Sequence, residues 1–253
     1  AITYLKPLSA AISIGTGGPF GAEGPIIATG GALGSTLGQL IKITPNERKI
    51  LLAAGATAGM SAIFGSPLAA ILLAIELLLF EFSARSFIPV ALACITGAAG
   101  HHLLFEEGVV FPLSFQLQPS SNYALLFYAT MGIVIGLISV IVTKVVYWIE
   151  DVFEKLPIHW AWWPAIGGIA VGVVGFFSPR TLGVGYSNIT DLLTGTMPMQ
   201  VVLSLCILKF VSWAISLGSG TSGGTLAPLL TIGGATGALI GGIGMFWFPN
   251  SGI

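Results

Sequence analysis

Apolar residues gather into runs at 8–20, 25–42, 50–64, 67–82, 86–105, 122–149, 161–177, 200–217 and 225–248. Within these runs there is no apolar/polar alternation; residues 71–79, for example, are apolar apart from Glu76. A membrane β-strand would alternate, so the spanning element is predicted to be the helix, which satisfies its own backbone hydrogen bonds in lipid. A full crossing takes about 20 residues, and several of the runs are shorter. They are also interrupted by Gly and Pro, at Gly15-Thr16-Gly17-Gly18-Pro19, at Gly65-Ser66-Pro67 and across 218–228. Broken helices at membrane depth are tolerated where the irregular backbone lines a protein-enclosed or watery cavity, which points to transport. Polar breaks at 42–49, 106–122, 150–157 and 178–199 are predicted loops of one compact bundle. The first carries Lys42, Arg48 and Lys49 against Glu47 and would be cytoplasmic by the positive-inside rule; three charges leave the orientation open.

Composition turns this pattern into a class. Of the 253 residues, 55% are hydrophobic and 8% charged, against about 25% charged in an ordinary soluble domain. Mean hydropathy is +0.95. Nine basic and ten acidic residues cannot cover a soluble surface, so an integral, multi-pass membrane protein in contact with the lipid bilayer is expected. The net charge of −1 leaves no footprint for a nucleic-acid partner. Cys94 and Cys206 lie in apolar runs and read as small buried hydrophobes, so neither a disulfide framework, a metal site nor a cofactor is expected. The chain starts without Met or a signal peptide and is expected to be an excerpt of a longer one.

An internal repeat is the strongest feature. Shifted by 203 positions, Gly15, Gly17, Gly21 and Pro25 fall on Gly218, Gly220, Gly224 and Pro228, and in the same register Gly30, Gly31, Ala32, Gly34 and Gly38 fall on Gly233, Gly234, Ala235, Gly237 and Gly241. Each copy reads as a Gly-rich turn followed by a helix start, because Pro is favoured in a first helical turn. The first amides of a helix lack internal partners and lie at the positive end of its dipole. With Gly removing side-chain bulk, such an end can hold an anion on backbone N–H groups. Two such ends in corresponding halves are the recurrent plan of secondary transporters. The four-residue glycine spacing that follows lets helices approach closely; packing alone is the alternative, and it leaves the loop glycines unexplained. Glu23, an acid inside an apolar segment, is functional by default. Its carboxylate can occupy the place of a transported anion, blocking when ionised and swinging out when protonated or displaced. The alternative is a helix N-cap acid favoured by the dipole.

Gly21-Ala22-Glu23-Gly24-Pro25 resembles the G-[K/R]-E-G-P signature of the ClC family of chloride channels and chloride/proton antiporters. The segment Gly218-Ser219-Gly220-Thr221-Ser222-Gly223-Gly224-Thr225-Leu226-Ala227-Pro228 resembles its G-S-G-x-x-G-G-x-F-x-P signature. Phe64-Gly65-Ser66-Pro67-Leu68-Ala69, Ile75-Glu76 and Leu182-Gly183-Val184-Gly185-Tyr186 follow the family pattern in order between them, so the likeness covers nearly the whole chain. It implies an all-α, polytopic membrane domain of two inverted halves with re-entrant, broken helices, usually a homodimer with one pore per subunit. Residues 1–253 would form a single such domain lacking its first and last helices. The family's early G-S-G-I-P motif and late pore tyrosine would lie outside the chain. Glu23 matches the gating and proton-binding glutamate. The amides of Gly21, Ala22 and Gly24 and of Thr225, Leu226 and Ala227 match the anion-coordinating backbone, and 67–105 matches much of the dimer interface.

Two departures bear on mechanism. Ala22 stands where the family has a basic residue, which should weaken local anion attraction. Leu77 stands where the family's inner proton glutamate falls, beside Glu76, and cannot relay a proton. This favours a chloride channel over the chloride/proton antiporter. Glu81, five residues beyond Glu76 and on another helical face, is the poor substitute left for an internal polar path. His101-His102 beside Glu106-Glu107 reads as an interfacial helix end, and Trp160, Trp162 and Trp163 around His159 as an aromatic belt. Arg85 and Lys209 are expected to snorkel or pair with acids, and Glu150, Asp151, Glu154 and Lys155 to form a solvated helix end. Gly220-Thr221-Ser222-Gly223 also resembles the nucleophile motif of intramembrane serine proteases. Those enzymes need a later His, and every His here precedes Ser222, so catalysis is not expected. A carrier of another anion, such as fluoride or nitrate, would share the architecture.

Overall fold

The computed structural model describes residues 2–105, 110–111 and 121–247, and these are helical with connecting turns. The elements are α1 (Ile2–Gly15), α2 (Glu23–Ile41), α3 (Pro45–Phe64), α4 (Pro67–Leu73) continued by a π-helical segment (Ala74–Leu79), α5 (Ala84–Leu104), α6 (Asn122–Glu154), α7 (Trp163–Phe177), α8 (Tyr186–Leu193), α9 (Met199–Gly218) and α10 (Leu226–Trp247). Among the described residues, Ala84–Leu104, Asn122–Glu154, Trp160–Phe177, Met199–Gly218 and Leu226–Trp247 are long and apolar enough to cross a membrane.

Three boundaries differ from the sequence expectation. The 42–49 break is half helix, because Thr44 and Glu47 form a capping box: the Thr44 side chain accepts from the Glu47 amide and the Glu47 carboxylate accepts from the Thr44 amide at 3.0 Å. Pro45 then occupies the first helical turn. The 178–199 break contains α8, which starts after Gly185 in the left-handed conformation at φ 80°. The run expected to reach residue 82 stops at Phe80, whose φ of 56° turns the chain out of the helix. Much of the 106–122 break, including Glu106 and Glu107, lies outside the described residues. The solvated helix end at Glu150–Lys155 is present, with Asp151, Glu154 and Lys155 exposed at the end of α6.

The chain divides into two compact units, Ala1–Ile12 with Ala22–Pro112, and Ser13–Gly21 with Leu113–Ile253. In the first, α2, α3 and α5 pack nearly backbone to backbone. A Cβ added at Gly30 would collide with the Gly55 carbonyl, one at Gly34 with the Leu51 carbonyl, and one at Gly97 with the Ala58 carbonyl. Small residues permit this approach, which drives helix association where lipid removes the hydrophobic incentive. Around the seam lie Ile50, Ala53, Ala54, Ala70, Ile71, Val90 and Cys94, all buried. The Ser61 hydroxyl donates to the Cys94 carbonyl at 2.6 Å, tying α3 to α5. α3 ends at Gly65 (φ 59°), and the buried His101 ring lies against it, with Nδ1 2.7 Å from the Ala62 carbonyl. His101-His102 is thus a helix end docked on another helix end.

The second unit is built on Phe20, Trp213, Ala214 and Ile232, all buried, with Ile14, Ile149, Cys206 and Phe210 against them. Trp160 and Trp162 are exposed, as an aromatic belt requires, whereas Trp163 packs on Phe153 with ring centroids 6.1 Å apart. Lys209 departs from expectation: it does not reach the surface, and among the described residues it meets no acid. It is fully buried on α9 and donates to the carbonyls of Thr181 at 2.9 Å and Gly183 at 2.7 Å. Arg180 and Asp191 form an ion pair at 2.9 Å.

Candidate functional site

The two copies of the repeat end their first helices in the same way. After α1, the Gly17 amide donates to the Ile14 carbonyl at 3.0 Å and the Gly18 amide to the Ser13 carbonyl at 2.8 Å. After α9, the Gly220 amide donates to Leu217 at 2.9 Å and the Thr221 amide to Ser216 at 3.3 Å. Each set is the Schellman pattern, which calls for a left-handed residue that Gly adopts without a Cβ penalty. Gly17 (φ 101°) and Gly220 (φ 74°) supply it.

The chain then reaches Gly21 in one copy and Gly224 in the other, and these two residues bind each other. Gly21 donates to the Gly224 carbonyl and Gly224 to the Gly21 carbonyl, both at 2.8 Å, as an isolated antiparallel bridge. Reciprocal bonding between repeat-equivalent residues places a local twofold axis between them. One position earlier the copies differ. Phe20 is fully buried, and a Cβ on its counterpart Gly223 would collide with the Phe20 ring. The ring of one copy fills the space left by the glycine of the other.

Two residues after each bridge glycine a helix begins, at Glu23 in α2 and Leu226 in α10. Regular bonding starts with the Ile26 amide on the Ala22 carbonyl and the Leu229 amide on the Thr225 carbonyl, each at 3.1 Å. The amides of Glu23 and Gly24, and of Leu226 and Ala227, precede it. Ala22 at the α2 N-cap makes no side-chain cap, in contrast to Thr44 on α3. Pro25 and Pro228 both lie in the first turn and are buried. Glu23 is fully buried in the first turn of α2, where the helix dipole favours a negative group. Of the other candidate positions, Gly21 and Ala227 are buried, Ala22, Gly24 and Leu226 are half-buried, and Thr225 is exposed.

Glu76 and Glu81 are brought to no shared path by the local winding. Glu76 and Leu77 lie exposed on the π-helical segment, which closes with the Phe80 amide on the Ile75 carbonyl at 2.9 Å. Glu81 follows Phe80 and is off the helix altogether, so the comparison of helical faces made from α-spacing does not apply. π-Helical turns cluster at functional sites; an apolar run gives no sign of this winding.

Near Ser222, the Ser219 hydroxyl donates to the Ser216 carbonyl at 2.6 Å and lies 2.8 Å from the Thr221 hydroxyl. His159 accepts from the Ala161 amide at 3.3 Å at the start of a surface turn. Two features escaped sequence reasoning. One is the Phe20–Gly223 fit, for which the repeat register held the signal because these residues are equivalent. The other is the Lys209 clamp, for which spacing holds none, since its acceptors are main-chain atoms of a distant loop.

Comparison with known proteins bears on the whole chain. The sequence profile of the family described as "Voltage gated chloride channel" matches residues 1–253. The voltage-gated ClC-type chloride channel ClcB of Shigella boydii serotype 18 is 29% identical over 254 residues, covering 99% of this chain and 60% of the relative. ClcB of Escherichia coli strain K12 / DH10B matches with the same identity and coverage, 29%, 99% and 60%. The chain therefore spans about 60% of the length of these curated relatives. Among solved structures, a slow cyanobacterial Cl−/H+ antiporter superposes with a TM-score of 0.86 at 21% identity, over 99% of this chain and 64% of that one. A CLC-type fluoride/proton antiporter superposes with a TM-score of 0.76 at 23% identity, over 94% and 58%. With helical architecture, repeated bends and family profile in agreement along its full length, the chain belongs to the voltage gated chloride channel (ClC) family of membrane transport proteins.

Proposed function

We propose that the protein moves chloride across the membrane, holding the anion on the backbone amides of Gly21, Ala22 and Gly24 and of Thr225, Leu226 and Ala227. Glu23 is its gate, an ionised carboxylate that competes with chloride and yields when protonated. The observation that carries this reading is the duplicated bend and helix start, with a fully buried acid in the first turn of one copy and an apolar residue at the equivalent position of the other. An N-cap without a side-chain hydroxyl or carboxylate leaves the α2 amides to an anion or to Glu23. Residues 1–253 act as part of one ClC-type transmembrane domain, which works as a homodimer in the inner or plasma membrane.

Conduction without proton coupling is the primary reading, because Leu77 cannot carry a proton and Glu76 and Glu81 share no helical path. Proton-coupled exchange is the second, favoured by the fold similarity to two proteins described as antiporters. The deciding experiment uses the full-length protein in liposomes: a chloride gradient is imposed and external proton movement recorded. Chloride flux without proton movement supports the channel; protons driven uphill make it an antiporter with a route that bypasses Leu77. Glu23→Ala is expected to retain chloride flux and lose its dependence on pH. Loss of flux in a folded Glu23→Ala protein would remove the gate assignment.

A further inference from the structure

Lys209 is a cation buried at mid-helix in α9, on a segment long and apolar enough to span a membrane. An ionisable group in such a place is costly, and proteins retain it for a purpose. Its ammonium donates to the carbonyls of Thr181 and Gly183, at 2.9 and 2.7 Å, and no carboxylate lies within ion-pair distance of it among the described residues. The charge is thus solvated by main-chain dipoles, with no carboxylate among the described residues paired to it.

The loop it holds leads directly to the repeated bend. The Gly183 amide donates to the Gly17 carbonyl at 3.1 Å. The neighbouring Leu182 side chain comes within 3.4 Å of where a Gly17 Cβ would stand. Gly17 is the left-handed residue of the first bend, four positions before the Gly21–Gly224 bridge. A continuous set of contacts therefore runs from the Lys209 ammonium through Gly183 to the backbone of the first signature.

Holding the loop does not in itself call for a charge. The neighbouring carbonyl, that of Arg180, is held by the neutral amide of Asn188 at 2.7 Å. The ammonium adds a positive field that a neutral donor would lack, within the same unit as the paired glycines. Resting on the proposed chloride-transport reading, we propose that Lys209 is a positioning residue of the anion pathway: held on the Thr181 and Gly183 carbonyls, it fixes the loop that braces the Gly17 bend and supplies a buried positive charge that raises the affinity for anions.

The test is chloride flux into liposomes by the full-length protein, read as half-saturating chloride and maximal rate, with chloride binding measured by calorimetry on the purified protein. Lys209→Gln keeps a donor and removes the charge; half-saturating chloride should rise about tenfold, the effect of one poorly screened charge in a partly dry setting. Lys209→Arg should stay within about threefold of wild type, because the charge and the donors persist. Asn188→Ala loosens the same loop with the charge intact, and should lower stability while shifting half-saturating chloride by less than Lys209→Gln does. A folded Lys209→Gln with wild-type half-saturation overturns the proposal, as does an Asn188→Ala shift as large as that of Lys209→Gln. If Lys209→Gln does not fold, a tenfold shift in Lys209→Arg overturns it. Wild-type protein that neither binds nor moves chloride removes the transport reading itself; normal wild-type flux with insensitive variants removes only the role of Lys209.

Discussion

The two copies of the repeat agree where the chain turns and disagree where it packs. α1 and α9 end in the same Schellman pattern, the equivalent glycines 21 and 224 bond each other, and α2 and α10 begin at equivalent residues. The glycine faces that follow then diverge. On α2, Gly30 and Gly34 lie against the backbone of α3 so closely that no Cβ fits. On α10, a Cβ added at the equivalent Gly233, Gly237 or Gly241 would meet nothing within 4 Å, and contact falls instead at Gly234, Gly242 and Gly244, against Leu192, Met199 and Phe127. Turn geometry is local, set by a left-handed residue and two hydrogen bonds, so duplication preserves it. The face a helix buries depends on its neighbours, and those differ between the copies.

The sharpest break of this comparison is a pair of equivalent substitutions. Gly34→Ala should cost about 3 kcal/mol, the upper range for forcing an atom into a packed interior. Gly237→Ala should be neutral or slightly stabilising, by about 0.5 kcal/mol, because a helical glycine with open space at its Cβ position gains from a methyl. Thermal unfolding of the two variants in detergent checks this. Equal losses would show that the two glycine faces are packed alike.

The unlike pair at the bridge gives the next largest effect. Gly223→Ala should destabilise by about 2 kcal/mol through collision with Phe20, and the loss should largely vanish in a Phe20→Ala background. A double-mutant cycle would then give a coupling above about 1 kcal/mol. Additive effects would show that the ring and the glycine do not constrain each other.

The smallest effect sharpens the contrast between capped and uncapped helix starts. Thr44→Ala should cost about 1 kcal/mol, as loss of an N-cap does, while no such side chain exists to remove at Ala22. The Thr44 hydroxyl and backbone amide hold the Glu47 carboxyl below its ordinary value. This contribution is therefore present above the unfolded-state value and fades as pH falls through the lowered, folded-state one. Melting curves across that acid range should lose their Glu47-dependent part in Thr44→Ala. An unchanged pH profile would exclude the capping box as its source.

Features that depend on a residue and its near neighbours are readable along the chain. Gly17 and Gly220 end helices because only a residue without a Cβ takes the left-handed turn cheaply. Pro25 and Pro228 mark helix starts, and the apolar runs give α2, α5, α9 and α10 to within a few residues. The capping box at Thr44 and Glu47 is equally local, and it sets the start of α3 at Pro45. Tertiary structure alone decided the rest. Glu81 leaves the helix because π-winding and the left-handed Phe80 turn the chain out, and neither shows as a periodicity in a uniformly apolar run. Lys209 was solvated by main-chain carbonyls of a loop 26 and 28 residues away, and carbonyls leave no mark on residue type. Gly34 and Gly237 are the same residue at equivalent places, and only the helix that arrives beside one of them makes it indispensable.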